Sequence, residues 1–140
     1  MNVQLHTPSA GGVIIKNNEV LLIFSANRNT YEFPKGTIEN GELSEVAAVR
    51  EVKEETGYDA VIVSFLNEST FEFDAKDGTR FSKTVTYYLM SLLNKDEPVP
   101  NLQAGEDFIN IWTPVEEALE LLSYDNLKDI LLQAVAFNPQ

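Results

Sequence analysis

Three glutamates within five residues, Glu51, Glu54 and Glu55, are the first candidates for chemistry in this sequence. They stand at i, i+3 and i+4, so on a helix all three side chains project from one face. Two like charges ~4 Å apart repel by about 4 kcal/mol at an effective dielectric near 20. Clustered carboxylates therefore raise one another's pKa values or bind a hard cation such as Mg²⁺, Mn²⁺ or Ca²⁺. A solvated acidic face, partly neutralised by Arg50 and Lys53, is the alternative.

The segment that carries these glutamates, residues 44–55, is predicted to be a helix. It lacks Gly and Pro, and Gly57 follows at the position where a glycine commonly closes a helix. Ala48 and Val52 are four residues apart on a different side and are expected to face the core. A glycine-punctuated loop, residues 36–42, leads into the helix and could turn backbone groups toward a bound ion.

Strands are predicted on both sides of this helix from β-branched runs and turn residues. Before it, residues 11–16 and 19–25 form a hairpin around Asn17-Asn18, and residues 26–35 form a loop. After it, strand character returns from Tyr58 to Phe73, and Asp77-Gly78 turns the chain into a strand that begins at residue 81. Residues 94–105 read as a loop because Pro98 and Pro100 interrupt them, and residues 108–112 read as a short strand.

Two helices are predicted at the end of the chain. Thr113 as N-cap, Pro114 at the first helical position and Glu116 three residues after the cap form a capping box. A last helix places Leu127, Ile130, Leu131 and Ala134 at core-facing spacing. The order strands, helix, strands, helices predicts one domain over residues 1–140, an α/β (α+β) fold with a mixed sheet sandwiched between helices.

Composition restricts the possible functions. The 140 residues carry a formal net charge of −12, which makes the chain a poor binder of long nucleic acid. The absence of cysteine excludes disulfides and thiolate metal sites. We expect a cytoplasmic protein, because the sequence has neither a signal-peptide pattern nor an apolar run of ~20 residues. We expect it to be a monomer or a homodimer.

One stretch of 23 residues resembles the Nudix box, the signature of hydrolases that act on nucleoside diphosphates linked to another group. The matching residues are Gly36, Glu42, Arg50-Glu51-Val52, Glu54-Glu55 and Gly57-Tyr58, all at the spacing of the box. Only Tyr58 is a soft match, since it is aromatic rather than aliphatic. The strand order along the chain also resembles the Nudix fold.

The resemblance implies a role for each of these residues. Glu51, Glu54 and Glu55 would hold Mg²⁺ (or Mn²⁺), with a backbone oxygen from Gly36. Arg50 would pair with a neighbouring carboxylate and fix its orientation. One of the glutamates, with Glu51, Glu54 and Glu106 as candidates, would act as general base on the attacking water. In many family members a glutamate in the loop before the last strand reaches the metal site, and Glu106 stands at that position.

Residues outside the box bear on the substrate. The run FPKG resembles asymmetrical diadenosine tetraphosphate (Ap4A) hydrolases and inositol-pyrophosphate phosphatases, and its Lys35 would bind phosphate. Lys83 would meet the far phosphates, and Tyr87 or Tyr88 would stack on a base, although adjacent strand residues point to opposite faces. Tyr31 and Phe33, with Arg28, would help to hold the nucleotide. The chain departs from those hydrolases in lacking their Trp near Tyr31 and in having Phe71 or Phe73 where they have Tyr.

The predicted function is a metal-dependent pyrophosphohydrolase that acts on a small nucleotide, with a dinucleoside polyphosphate such as Ap4A as the preferred substrate. A nucleoside-triphosphate or RNA 5′-end pyrophosphohydrolase is the alternative within the enzyme class. A catalytically silent Nudix-fold binding module is an alternative from a different class, although such proteins usually lose a metal-binding glutamate. A calcium loop at residues 74–78 is disfavoured because Lys76 occupies a ligand position.

Overall fold

Seven strands and three helices form in residues 4–93 and 98–137, the part of the chain that the computed structural model describes. The strands are β1 (Gln4–Lys16), β2 (Glu19–Ser25), β3 (Thr30–Glu32), β4 (Lys35–Thr37), β5 (Ala60–Asp74), β6 (Arg80–Leu92) and β7 (Phe108–Pro114). The helices are α1 (Ser44–Thr56), α2 (Val115–Leu121) and α3 (Asp125–Phe137). None of the helices in these ranges has the length and apolar character required to span a bilayer.

The sheet is mixed and is organised around β1. Its strand order is β3-β2-β1-β6-β5, with β4 paired to β1 and β7 paired to β2. β1 runs parallel to β6 and antiparallel to both β2 and β4. This branching places the short strand β4, which leads into the glycine-rich loop, beside the middle of β1, where β1 also pairs with β6.

A hydrophobic core lies on each face of the sheet. α1 covers one face with Ala47, Ala48 and Val52, which pack against residues of β1, β2 and β6. α2 and α3 cover the other face, where the predicted core residues Leu127, Ile130, Leu131 and Ala134 are all buried. The predicted architecture of a mixed sheet between helices is therefore confirmed.

The predicted local elements are mostly confirmed. Asn17 and Asn18 both adopt positive φ, 53° and 64°, as the hairpin requires. α1 ends where Gly57 adopts the left-handed conformation, and its N–H donates to the Lys53 carbonyl. Gly78, at φ 88°, lies in the turn between β5 and β6, so residues 74–78 belong to a hairpin connection.

Two predictions about local structure were wrong. β3 lies inside the predicted loop 26–35, because pairing with β2 stabilises it. The strand predicted from Tyr58 to Phe73 is present as β5, which pairs with β6 across two register shifts. The capping box is absent because Pro114 still pairs with Glu19 in the sheet, and the Thr113 hydroxyl donates to the Ile111 carbonyl. Part of the predicted loop 94–105, residues 94–97, lies outside the described residues.

Candidate active site

A cleft of about 420 Å³ lies between the C-terminal half of α1 and the loops at one end of the sheet. Its lining comes from the turn after β2, from β4, α1 and β6, and from the loop before β7. Predicted site residues in the lining are Arg28, Lys35, Gly36, Arg50, Glu51, Glu55, Lys83 and Glu106. Residues that are distant along the chain thus meet around one volume.

The position of β4 depends on a close approach between two backbone segments. A Cβ at Gly11 of β1 would overlap the Pro34 carbonyl and the Lys35 side chain, so only glycine lets β4 lie this close. Gly12 N–H donates to the same Pro34 carbonyl over 3.2 Å. The phosphate-binding candidate Lys35 and the metal-binding candidate Gly36 are held against the sheet in this way.

Arg50 is the centre of the ionic contacts on α1. Its guanidinium donates to both oxygens of Glu42, over 2.8 Å each, and to the Thr37 carbonyl over 3.1 Å. One of its nitrogens also donates to Glu51 over 2.7 Å and to Glu54 over 3.2 Å. The prediction that Arg50 pairs with a neighbouring carboxylate is confirmed, and Arg50 ties the loop before α1 to the helix itself.

The charges around Arg50 shift pKa values in opposite directions. Hydrogen bonds from Arg50, with a smaller contribution from the Glu39 N–H, lower the pKa of Glu42 to about 2. Burial raises the pKa of Glu51, and the charges of Glu54 and Glu106 raise it further against the opposing hydrogen bond from Arg50. Glu42 is thus a permanent anion that anchors Arg50, whereas Glu51 retains an affinity for a cation or a proton.

The acidic cluster, Glu51, Glu54 and Glu55, is only partly exposed. Burial raises the pKa of Glu55 to about 8, although the Lys35 charge and the Lys35 N–H, which donates over 2.9 Å, oppose the shift. The Glu51 carboxylate lies directly against Gly36, where a Cβ would overlap it. Glu54 does not line the cleft, and its contact is with Arg50.

The acidic cluster fits a divalent cation in its donor chemistry. Carboxylate oxygens are the ligands preferred by Mg²⁺ and Mn²⁺, and the missing side chain at Gly36 leaves its backbone beside Glu51. In residues 4–93 and 98–137, however, no three His, Cys, Asp or Glu side chains are already arranged to hold a metal ion. Arg50 instead provides the counter-charge to Glu51 and Glu54.

Glu106 lines the same cleft from the loop before β7. Its charge contributes to the raised pKa values of both Glu51 and Glu55, which places it within electrostatic reach of the cluster. One oxygen of its carboxylate accepts the Gln103 N–H over 2.8 Å. The side chain therefore closes the turn of its own loop while it lines the cleft.

Three cations form a second group, named here the cationic group: Arg28, Lys35 and Lys83. All three line the cleft, and all three also line an adjoining cavity of about 460 Å³. Burial lowers the pKa of Lys83, and the neighbouring Lys35 lowers it further. The rest of this second cavity includes the aromatic rings of Phe71, Phe73 and Tyr124.

The predictions for the tyrosines need correction. Tyr87 or Tyr88 was predicted to stack on a base. Tyr87 is fully buried beside Phe33, with ring centroids 5.7 Å apart, so its assignment to the substrate was wrong. Tyr88 points to the other face, where its hydroxyl donates to Ser44 over 3.0 Å. Tyr31 is partly buried against Phe24 and is not part of the lining of either cavity.

Sequence reasoning missed several residues at this site. Glu32 is a buried carboxylate that pairs with both Arg28 and Lys35. Asp107 accepts the Ser25 hydroxyl over 2.7 Å and the Asn27 N–H over 2.8 Å, and so joins the two loops at the rim of the cleft. Tyr124 reaches the second cavity from the segment between α2 and α3. The only sequence signal for Glu32 was its position as an acidic residue four residues after Arg28 and three residues before Lys35.

Several known proteins are similar to this chain in sequence. The chain is 33% identical over 130 residues to the MutT4 protein of Mycobacterium tuberculosis (strain CDC 1551 / Oshkosh), a match that covers 86% of this chain and 51% of that protein. It is 32% identical over 117 residues to an 8-oxo-(d)GTP phosphatase of Mycolicibacterium smegmatis, covering 84% of this chain and 34% of that protein. This chain therefore spans about half or less of the length of these two relatives.

The chain is also similar to a solved structure and matches a family model. A C. elegans Ap4A hydrolase is 27% identical, with a TM-score of 0.70, and the match covers 94% of this chain and 96% of that chain. The model of the NUDIX domain matches residues 5–134. The chain with this acidic cluster and cleft belongs to the Nudix hydrolase family.

Proposed function

We propose that this protein is a divalent-cation-dependent pyrophosphohydrolase whose substrate is a dinucleoside polyphosphate such as Ap4A. The observation that carries the substrate assignment is the cationic group, which is shared by two adjoining cavities. One cavity is lined by Glu51 and Glu55 of the acidic cluster, and the other is lined by aromatic rings. A chain of phosphates bridging the two would place one nucleoside on the aromatic side.

Different residues would bind the metal ion, orient the carboxylates and accept the proton during hydrolysis. Glu51, Glu54 and Glu55, with Gly36 and Glu106, would hold Mg²⁺ or Mn²⁺. When bound, that ion supplies charge neutralisation on the phosphates and makes water more acidic. Arg50 orients Glu51 and Glu54, and one of these two carboxylates accepts the proton of the attacking water. Water then adds across one phosphoanhydride bond, which divides Ap4A into ATP and AMP.

The second cavity supports a base-binding role through its aromatic rings. Phe71 and Tyr124 meet edge to face at 5.3 Å between centroids, and Phe73 stacks on Phe81 at 5.1 Å. A flat base would rest on these rings, and such stacking contributes ~1–3 kcal/mol per base. The base would therefore stack on Phe71 and Phe73 of β5 and on Tyr124 of the segment before α3, and not on Tyr87.

A nucleoside triphosphate is the second candidate substrate. One relative, at 32% identity, is named as an 8-oxo-(d)GTP phosphatase, and another, from Hydrogenovibrio crunogenus at 26% identity, is named as an RNA pyrophosphohydrolase. A triphosphate would use the acidic cluster and the cationic group in the same way. It would leave the second cavity without a nucleoside.

The test is a substrate panel with chromatographic identification of products. The purified protein with Mg²⁺ or Mn²⁺ is given Ap4A, Ap3A, ATP, 8-oxo-dGTP and a 5′-triphosphorylated RNA. We expect the highest kcat/KM with Ap4A and equimolar ATP and AMP as products. Faster hydrolysis of a triphosphate than of Ap4A would overturn the substrate assignment. No hydrolysis of any substrate with either ion would support the silent binding module instead.

A further inference from the structure

Glu32 is a carboxylate buried at the base of the cationic group. It is only 5% exposed, at the end of β3, where it pairs with Ile23 of β2. Its oxygens lie 3.2 Å from the Arg28 guanidinium and 3.4 Å from the Lys35 ammonium, and the Thr30 hydroxyl donates to it over 3.0 Å. A buried charge of this kind is costly unless it is paired, and here two cations share it.

Glu32 remains ionised in this environment. Burial alone would raise its pKa, but the charges of Lys35 and Arg28, together with hydrogen bonds from Thr30 and Lys35, outweigh burial and lower the pKa. The anion reduces the repulsion between two cations that both line the cleft. It also fixes their separation, because its two oxygens each face a different partner.

The same contacts connect the cationic group to the acidic cluster. The side chain of Lys35 pairs with Glu32, while its backbone N–H donates to Glu55 over 2.9 Å. Arg28 is held from a second side by the ring of Phe108, at 5.7 Å from its centroid. The spacing from the phosphate-binding cations to the α1 carboxylates is therefore set through β3 and Glu32.

We propose that Glu32 is a positioning residue that sets the register of the bound polyphosphate, and thus selects the phosphorus atom that water attacks. The proposal rests on the proposed function, since it concerns how the same cleft holds its substrate. Glu32 contacts Arg28 and Lys35 and acts through them. Without its charge, the two cations separate and the phosphate chain binds in more than one register.

The experiment is hydrolysis of Ap4A in ¹⁸O-labelled water, with mass spectrometry of every product. The wild type should give one product pair, ATP and AMP, with label in only one of them. Glu32→Gln keeps the size of the side chain but removes its charge; it should place label in both products or release ADP, with a rise of about tenfold in KM. Glu32→Asp, which keeps the charge, should retain the single labelling pattern.

Two further variants separate positioning from general damage. Thr30→Val leaves the charge of Glu32 but removes a hydrogen bond to it, and should give a weaker version of the same labelling change. Glu120→Gln makes the matching change of charge at an exposed site on α2 and should match the wild type. A single labelling pattern in both Glu32→Gln and Thr30→Val would overturn the proposal, as would mixed labelling in Glu120→Gln.

The wild-type result separates this proposal from the one on which it rests. Failure of the wild type to hydrolyse Ap4A would overturn the proposed substrate and the register proposal together. Clean wild-type hydrolysis with unchanged labelling in the Glu32 and Thr30 variants would overturn the register proposal alone. Melting curves for each variant establish that the folded protein is being assayed.

Discussion

The acidic cluster on α1 and the cationic group opposite it are built in different ways. Glu51, Glu54 and Glu55 come from five consecutive residues, and one helix places them together. Arg28, Lys35 and Lys83 come from a turn, a short strand and a long strand, and only the folded sheet brings them to one place. The first group is local in sequence, whereas the second is a product of topology.

The two groups also differ in where the counter-charge that balances them comes from. Arg50 provides a counter-charge for the acidic cluster from the same helix, and Glu32 provides one for Arg28 and Lys35 from the neighbouring strand. In both places one buried or half-buried ion separates like charges that would otherwise repel. Each half of a binding site for a charged substrate thus contains an ion of the opposite sign to the group it balances.

Glu54→Gln should produce the largest effect and tests the acidic side of the comparison. Loss of one carboxylate from the cluster should lower kcat by about 10²–10⁴-fold, the range for a residue that acts in proton transfer. The free energy of unfolding without metal should change little, because the lost pairing with Arg50 is offset by reduced repulsion from Glu51. Steady-state kinetics and thermal melts measure the two quantities.

Glu120→Gln is the matched control for this change, since it removes an exposed carboxylate from α2. Its kinetics should equal those of the wild type. Direct titration with Mn²⁺ should also show weaker binding to Glu54→Gln than to either of the other proteins. Unchanged turnover in Glu54→Gln would contradict the assignment of the acidic cluster as the catalytic centre.

Lys83→Met tests the cationic side and should change activity and stability in opposite directions. Loss of a charged hydrogen bond to phosphate, worth about 1.5–3 kcal/mol, should lower kcat/KM by roughly 10- to 150-fold. The same substitution should stabilise the free protein at neutral pH, because burial and Lys35 lower the pKa of Lys83 and so disfavour its charged form in the fold. Denaturant unfolding in the absence of substrate measures this gain.

The direction of the pKa shift of Lys83 determines how the stability gain of Lys83→Met depends on pH. The pKa of Lys83 is lower in the folded protein than its ordinary value of 10.5, so the unfolded chain holds this proton more tightly. The wild type should therefore gain stability as pH rises from the folded value toward 10.5, and the advantage of Lys83→Met should shrink over that range. An advantage that grows with pH would contradict this account.

Phe73→Ala tests the aromatic side of the second cavity, with a smaller expected effect. Loss of a stacked base, worth about 1–3 kcal/mol, should raise KM for Ap4A by roughly 5- to 150-fold and leave KM for ATP nearly unchanged. Phe65→Ala is the matched control, because Phe65 is on the same strand and similarly exposed, 51% against 53%, but packs on Tyr88. Equal effects of the two variants on KM for Ap4A would argue against a base in this cavity.

The sequence predicted the parts of the site that depend on neighbouring residues. The helix, its glycine cap and the paired Arg50 follow from spacing and local preference, and all three are present in the fold. The cationic group depends on the parallel pairing of β1 with β6, which carries Lys83 to the cleft. No short-range pattern encodes that pairing. Nor does any short-range pattern show that Tyr87 is buried beside Phe33 or that Tyr124 lines the second cavity, so Tyr87 was wrongly chosen and Tyr124 was missed.

Tyr87→Phe should have the smallest effect and tests that correction. The Tyr87 hydroxyl is fully buried and has no hydrogen-bond partner among the described residues. Burial without a partner costs free energy, so removal of the hydroxyl should leave the free energy of unfolding unchanged or raise it by about 1 kcal/mol. Because the ring packs against Phe33 beneath the cleft, KM for every nucleotide should be unchanged. A rise in KM for Ap4A would mean that Tyr87 reaches the substrate, and would contradict the conclusion drawn from its burial.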